Sequence, residues 1–495
     1  MNGIRKNIII AIGPLLAGLT WLFTEIVPAE PKVSLMAGIA LWMAWWWLTE
    51  CLPFWITALL PLLLLPVFGI KDVGGTSMEY IDRIVFVFAG GFVIALSLEK
   101  WGLHKRIALR ILSGVGSSPG KVLLGSMITS YLLSMWISNT ATVMILLPSI
   151  LAITDRAGEL VADEEHKRKF RVAILLGLAF SATIGGMATL VGTPTNMIFY
   201  GKYIETFKST ADLNFATWFL FAFPLSLALL AVCFFVLRNM FLYRTHSLRI
   251  DRSLFRQKLN ELGNWTRMEK TTGIVFGATA LLWFTRGDID FGAFAFNGWG
   301  GLLPAEFMGY NLKKLNHDFL PAVVMALSLF FIPAEKGNGM TMELPDLKKL
   351  PFDIIILFGG GFALAMGIEA SGLSKWLASG LNAFVGQEPI LFVFGMCLMI
   401  CFISEFASNV ACIQLMLPVL LSFYPLLNVH PLYLLAPATL AASLGFMLPI
   451  ATAPNTIVFG TKRIKTKEML KAGFFLDVAG VLLITLFVWL AGKIF

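Results

Sequence analysis

Residues 215–237 read FATWFLFAFPLSLALLAVCFFVL, with no Asp, Glu, Lys, Arg or His among them. A helix needs about 20 such residues to cross the hydrocarbon of a bilayer. Comparable runs include IIIAIGPLLAGLTWLF (8–23) and DVAGVLLITLFVWLAG (477–492). About eleven such segments cover both halves of the chain and leave no stretch for a large soluble domain. In lipid every backbone polar group must be satisfied internally, which restricts spanning structures to helices and closed barrels. A barrel would show alternating segments of about ten residues instead. The chain therefore reads as an all-α polytopic membrane protein embedded in a lipid bilayer. Its 14% of charged residues fits that class, since a soluble domain carries about 25%. No small-residue cleavage site follows the charged start, so residues 8–24 read as the first membrane helix.

The formal charge of +8 is a matter of location. The segments 1–7, 100–121, 156–171, 238–270, 334–352 and 461–471 hold 28 of the 38 Lys and Arg residues. By the positive-inside rule these segments are cytoplasmic. The excess is a topology signal, and nucleic acid is not an expected partner. The five cysteines lie in or beside apolar runs without CxxC spacing and read as buried, reduced thiols.

SNTATVMILLP (138–148) and SNVACIQLMLP (408–418) stand 270 residues apart. FAGGFVIALSLEKWGL (88–103) matches FGGGFALAMGIEASGL (358–373) at the same offset, with eight of sixteen positions identical. Ser134 and Ser404 keep the offset. GTPTNMIFYG (192–201) answers ATAPNTIVFG (451–460) at an offset of 259, largely because the charged loop 155–171 has only a short counterpart. Matched Gly, Glu, Ser, Asn and Pro at a fixed spacing indicate an internal duplication. The segment 122–150 has basic residues on both flanks, so both its ends read as cytoplasmic. The segment 391–423 has Lys375 before it and no Lys or Arg until Lys462, so both its ends read as external. The same unit enters from opposite faces, the inverted-repeat plan of secondary transporters.

A hairpin that turns inside the membrane exposes helix ends, and Ser-Asn supplies hydroxyl and amide groups to them. The helix that follows starts at the tip, where its N-terminus attracts anions. Oxygens of the unwound turn suit a hard cation such as Na⁺. A helix cap in a packed bundle is the plainer alternative for one copy. Two copies with opposite flanks, each with a Gly- or Pro-broken partner at 183–196 and 443–455, favour a binding site. No Lys or Arg occurs within 122–152, 172–201, 390–423 or 432–460, so helix ends and bound cations are left to balance an anion. Of the acids in or near spans, Glu50, Glu99, Glu369, Glu405 and Asp477, Glu405 is the candidate for shaping a hairpin. Enzyme motifs are absent. GVGSSPGKV (114–122) has Val115 where a phosphate loop needs its first Gly, and there is no HExxH. The sequon NWT (264–266) falls in a segment read as cytoplasmic.

WWWLTECLPFWITALLPLLLLPVFGI (45–70), MWISNTAT (135–142), SEFASNVA (404–411) and LGFMLPIATAPNTIVFG (444–460) resemble signatures of the divalent anion/sodium symporters. That family contains sodium-dependent dicarboxylate, citrate and sulfate carriers. The resemblance implies eleven transmembrane helices plus two re-entrant hairpins and an elevator-type transporter that forms a homodimer. It implies co-transported Na⁺ at Ser134, Ser138, Asn139 and the backbone of Gly192, and at Ser404, Ala407, Asn409 and the backbone of Ala451. It implies a dicarboxylate or other divalent anion at Asn139, Thr140 and Thr193, and at Asn409, Val410 and Thr452. Val410 departs from the family pattern, because the second tip lacks the hydroxyl of Thr140. The expected division is scaffold (1–121), transport (122–240), cytoplasmic linker (241–271), scaffold (272–389) and transport (390–495). The expected activity is sodium-coupled symport of C4-dicarboxylates such as succinate, malate or fumarate across the plasma (inner) membrane. The N-terminus would be cytoplasmic and the C-terminus external. A sodium-independent dicarboxylate exchanger or a sodium/sulfate symporter of the same fold is the alternative.

Overall fold

The computed structural model describes residues 3–81, 83–114, 118–159, 163–207, 213–242, 253–290, 295–304, 306, 311–335, 339–379, 388–427 and 429–491. Residues 243–252 of the expected linker lie outside the described residues. Helices dominate. Among the described residues the β structure is one two-stranded sheet, Ile289–Asp290 with Ala295–Phe296, and a single bridge between Pro333 and Met340.

Seven described helices are long and apolar enough to cross a membrane: Arg5–Phe23, Val73–Lys100, Glu164–Met187, Phe215–Leu242, Phe352–Ala370, Pro389–Phe406 and Thr466–Leu490. Shorter apolar helices include Asn139–Ala152, Asn409–Tyr424 and Leu432–Ala442. The duplication is visible in the order of elements. Arg83–Lys100, Leu103–Gly114, Pro119–Ser134, Asn139–Glu159, Glu164–Met187, Pro194–Phe207 and Phe215–Leu237 form the first series. Phe352–Ala370, Leu373–Ser379, Pro389–Phe406, Asn409–Leu427, Leu432–Ala442, Ala453–Gly460 and Thr466–Ala491 repeat it one for one. Even the turn after the first helix is repeated. Gly102 has φ +77° and Gly372 φ +82°, a left-handed conformation that glycine adopts without a Cβ penalty.

The chain forms two compact units. One comprises residues 1–85, 351–445 and 480–495, the other 86–350 and 446–479. The second is built around Glu164–Met187, which is buried from Val172 through Met187. This helix packs against Pro119–Ser134, Asn139–Glu159, Phe215–Leu237 and Ala453–Gly460. A helix that is apolar all round belongs inside such a bundle. Lipid offers no hydrophobic gain for bringing helices together, so close packing of small residues does that work. At Gly185 a side-chain carbon would sit 2.3 Å from the Tyr131 carbonyl oxygen, so only glycine permits that approach. Capping boxes set helix starts here, among them Asn214 with Thr217 and Thr266 with Glu269. Thr266 of the sequon is thus a helix cap. Arg106 and Glu269 form a buried ion pair at 2.8 Å, and the same guanidinium donates to the carbonyls of Leu262, Gly263 and Asn264.

In the first unit Leu432–Ala442, the repeat counterpart of Glu164–Met187, is buried from Leu434 through Ala442. It packs against Pro389–Phe406 and Asn409–Leu427. Val33, Met36, Trp47, Leu65, Leu357 and Ala411 belong to its apolar core. The five cysteines are free and buried, as the sequence suggests.

Candidate functional site: two hairpin tips and two helix breaks

The first tip lies between Pro119–Ser134 and Asn139–Glu159, with residues 135–138 unwound. Ser134 is fully buried, and its Oγ donates to Asn139 Oδ1 at 2.6 Å. Ser138 Oγ accepts from the Ala141 N–H at 3.3 Å and caps the second helix. Ser138, Asn139 and Thr140 are half-buried. The break at residues 188–193 meets this tip. A side-chain carbon at Gly186 would lie 2.4 Å from Asn139 Oδ1, and one at Gly192 would lie 2.6 Å from the Gly186 carbonyl oxygen. The missing side chain at Gly186 lets the tip amide reach the broken helix, and the one at Gly192 lets the break fold back against Gly186. Thr193 is 6% exposed at the start of Pro194–Phe207 and accepts a hydrogen bond from Thr195 Oγ1 at 3.3 Å.

The second tip, in the first unit, repeats the design. Ser404 Oγ lies 2.8 Å from Asn409 Oδ1, and it also reaches the Ala442 carbonyl at 2.7 Å. Ser408 Oγ accepts from the Ala411 N–H at 3.3 Å. Ala407 is buried and extended, and Ser408, Asn409 and Val410 are half-buried like their counterparts. Val410 packs against the apolar core of its unit, so it fills space and offers no polar group. Glu405 is fully buried beside this tip, whereas Glu50, Glu99 and Glu369 are exposed. Asp477, in Thr466–Ala491, is buried.

Ala451 and Thr452 belong to the other unit, with the first-tip residues. Both are buried, and Thr452 Oγ1 caps Ala453–Gly460 by accepting from the Asn455 N–H at 3.3 Å. Asn455 Nδ2 donates to the Leu448 carbonyl at 3.1 Å. Its counterpart Asn196 donates to the carbonyls of Gly186, Met187 and Thr189 at 3.1, 3.2 and 2.8 Å. Asn196 and Gly186 are parts of this arrangement that the sequence did not assign to the site, although both stand in the stretch TIGGMATLVGTPTN that marks the break.

The donor set is neutral oxygen: hydroxyls, side-chain amides and backbone carbonyls. Such donors suit hard cations. Among the described residues no group of three or more His, Cys, Asp and Glu could hold a metal ion. Helices Asn139–Glu159, Asn409–Leu427, Pro194–Phe207 and Ala453–Gly460 begin at the tips and breaks, where their N-terminal ends carry partial positive charge. Neutral oxygens beside helix N-termini can take cations and an anion together.

An apolar helical chain with duplicated hairpins and broken helices has the build of an ion-coupled membrane transporter. The chain belongs to the sodium:sulfate symporter transmembrane-region family, whose model matches residues 15–494. It is a multi-pass membrane transporter and not an enzyme. The sodium-dependent dicarboxylate transporter SdcS of Staphylococcus saprophyticus is 37% identical over 484 residues, 97% of this chain and 90% of its own. SdcS of Staphylococcus aureus is 37% identical over 484 residues, 97% of this chain and 89% of its own. Among solved structures, the Alcanivorax borkumensis YdaH transporter matches 86% of this chain and 87% of its own. Its identity is 13% and its TM-score 0.47, a superposition too loose to bear on this chain.

Proposed function

We propose that this protein is a secondary active transporter that couples sodium entry to uptake of C4-dicarboxylates such as succinate, malate or fumarate. The observation that carries this reading is the repeated Ser–Asn pair, at 2.6 and 2.8 Å, on hairpins of one local design. The names of the staphylococcal relatives support sodium and a dicarboxylate as its substrates.

On this reading Na⁺ is held by Ser134, Ser138, Asn139 and Gly192, and by Ser404, Ala407, Asn409 and Ala451. The anion's carboxylates are met by Asn139, Thr140 and Thr193, and by Asn409, Val410 and Thr452. Eleven spans and two re-entrant hairpins divide into a dimerising scaffold and a transport part that moves as an elevator. The N-terminus is cytoplasmic and the C-terminus external.

Val410 favours a second reading in one respect. A hydroxyl missing from one tip changes discrimination among anions, and sulfate is the anion named by the family description. The test is uptake of labelled succinate into proteoliposomes with an inward sodium or potassium gradient, with sulfate and citrate as competitors. Sodium-driven accumulation is expected. Uptake that needs internal succinate and ignores sodium would make the protein an exchanger. Sodium-driven uptake of sulfate but not succinate would make it a sulfate symporter.

A further inference from the structure

Thr189 stands in the first break and is fully buried. Its hydroxyl donates to the Met135 carbonyl at the first tip and accepts from the Gly192 N–H at 3.1 Å. One side chain therefore ties the backbone of the tip to the backbone of the break. Asn196 holds Thr189 in turn, through its carbonyl at 2.8 Å, and gathers the carbonyls of Gly186 and Met187 with the same amide. Gly186 is the residue that Asn139 Oδ1 approaches. These contacts close a loop from tip to break and back to the tip. At the offset of 259 Thr189 corresponds to Leu448, whose side chain has no hydroxyl.

We propose that Thr189 is a positioning residue for sodium at the first hairpin, an assignment that rests on the sodium-coupled reading above. Thr189 acts through Met135 and Gly192. Its hydroxyl sets the spacing between tip and break, so that the oxygens of Ser134, Asn139 and the Gly192 backbone converge on one ion. Site groups must be held within about 0.5 Å of their working positions. Without the hydroxyl, the Met135 carbonyl and the Gly192 N–H lose their common partner and the spacing relaxes. A typical net hydrogen bond corresponds to about tenfold in affinity. The loss falls on the first sodium alone.

The experiment uses the full chain in proteoliposomes and in detergent, with T189V, T189S and T189A beside the wild type. The sodium concentration at half-maximal succinate uptake should rise about tenfold in T189V. T189S, which keeps the hydroxyl, should stay within about twofold of wild type. Maximal uptake at saturating sodium should persist in T189V, and its melt in potassium should remain cooperative. T189A guards against a valine that simply does not fit, and it should show the same shift in sodium midpoint. An unchanged midpoint in a folded T189V or T189A would overturn the assignment. Loss of the cooperative melt in both would make Thr189 a residue of the fold only, and would overturn it too. A wild type whose uptake and melting ignore sodium would remove the coupling itself, an outcome seen without any variant.

Discussion

Arg286 Nε donates to Asp318 Oδ1 at 2.5 Å, with the two side chains 2% and 0% exposed. Asp318 Oδ2 accepts from the Tyr200 hydroxyl at 2.7 Å and from the Phe215 N–H at 3.2 Å. The Asp318 backbone carbonyl accepts from Trp283 Nε1 at 2.9 Å. One carboxylate thus joins Pro194–Phe207, the start of Phe215–Leu237 and the Arg286 loop within the second unit. Removing one partner of a buried pair leaves an uncompensated charge and costs about 3–5 kcal/mol. Asp318→Ala should lower the melting midpoint strongly in detergent, and Tyr200→Phe much less. An apolar replacement of both partners, Arg286→Met with Asp318→Leu, should recover part of the loss. A midpoint for Asp318→Ala within a degree of wild type would show that the pair contributes nothing.

Asn139 and Asn409 test the sodium reading. Each is paired with a buried serine, so Asn→Ala removes an oxygen and one hydrogen-bond acceptor of that serine, leaving Ser404 its bond to the Ala442 carbonyl. Sodium-driven uptake should fall to near background in either variant while expression stays near normal. Sodium should also stabilise the variants less, because a ligand that binds only the folded state raises its stability by mass action. An Asn409→Ala protein with wild-type sodium dependence of uptake and melting would exclude the second site.

Gly186→Ala addresses the approach of tip and break. Its new carbon would lie 2.4 Å from Asn139 Oδ1, well inside contact distance, so the amide must move. Overpacking of this kind typically costs about 1–3 kcal/mol. Sodium-driven uptake should drop at least about tenfold. Normal uptake by a folded variant would place Asn139 outside the working site.

Much of this arrangement is written in the sequence because the duplication copies chemistry-bearing residues. Ser134, Asn139, Ser404 and Asn409 stand at one offset, and the two breaks carry Gly, Pro and Asn where a regular helix cannot continue. The Arg286–Asp318 pair is not legible, because its partners come from irregular segments 32 residues apart and share no periodicity. Thr189 and Asn196 were visible as polar residues in an apolar break, but their partners are backbone atoms, which sequence does not display. Val410 reads as a missing hydroxyl in the sequence, and its packing against the apolar core of its unit appears only in the fold.

Topology rests on the placement of 28 of 38 Lys and Arg residues in the segments read as cytoplasmic. Reporter fusions at Arg249, Lys349 and Lys465 should all read cytoplasmic. An external reading at any one of them would overturn the inverted topology proposed for the two halves.

Thr140 and Val410 occupy matching positions one residue beyond the tip asparagines, and both are half-buried. On the proposed reading Thr140 gives a hydroxyl to a carboxylate, and Val410 gives none. A hydrogen bond to a charged group contributes about 1.5–3 kcal/mol. Thr140→Val should therefore weaken dicarboxylate affinity by about 10- to 100-fold, as measured by competition against labelled succinate at saturating sodium. Val410→Thr is a different change, because a hydroxyl replaces a methyl that packs against the apolar core. Valine to threonine is not a neutral swap in such a place. Val410→Thr should lower the melting midpoint without ligand and leave succinate affinity within about threefold of wild type. Its ranking of succinate, citrate and sulfate is the sensitive readout, since a donor added at the tip acts on discrimination first. A silent Thr140→Val together with a Val410→Thr that folds but cannot transport would reverse the two roles. The carboxylates would then be held by other groups, and the tip hydroxyl would have no part in binding them.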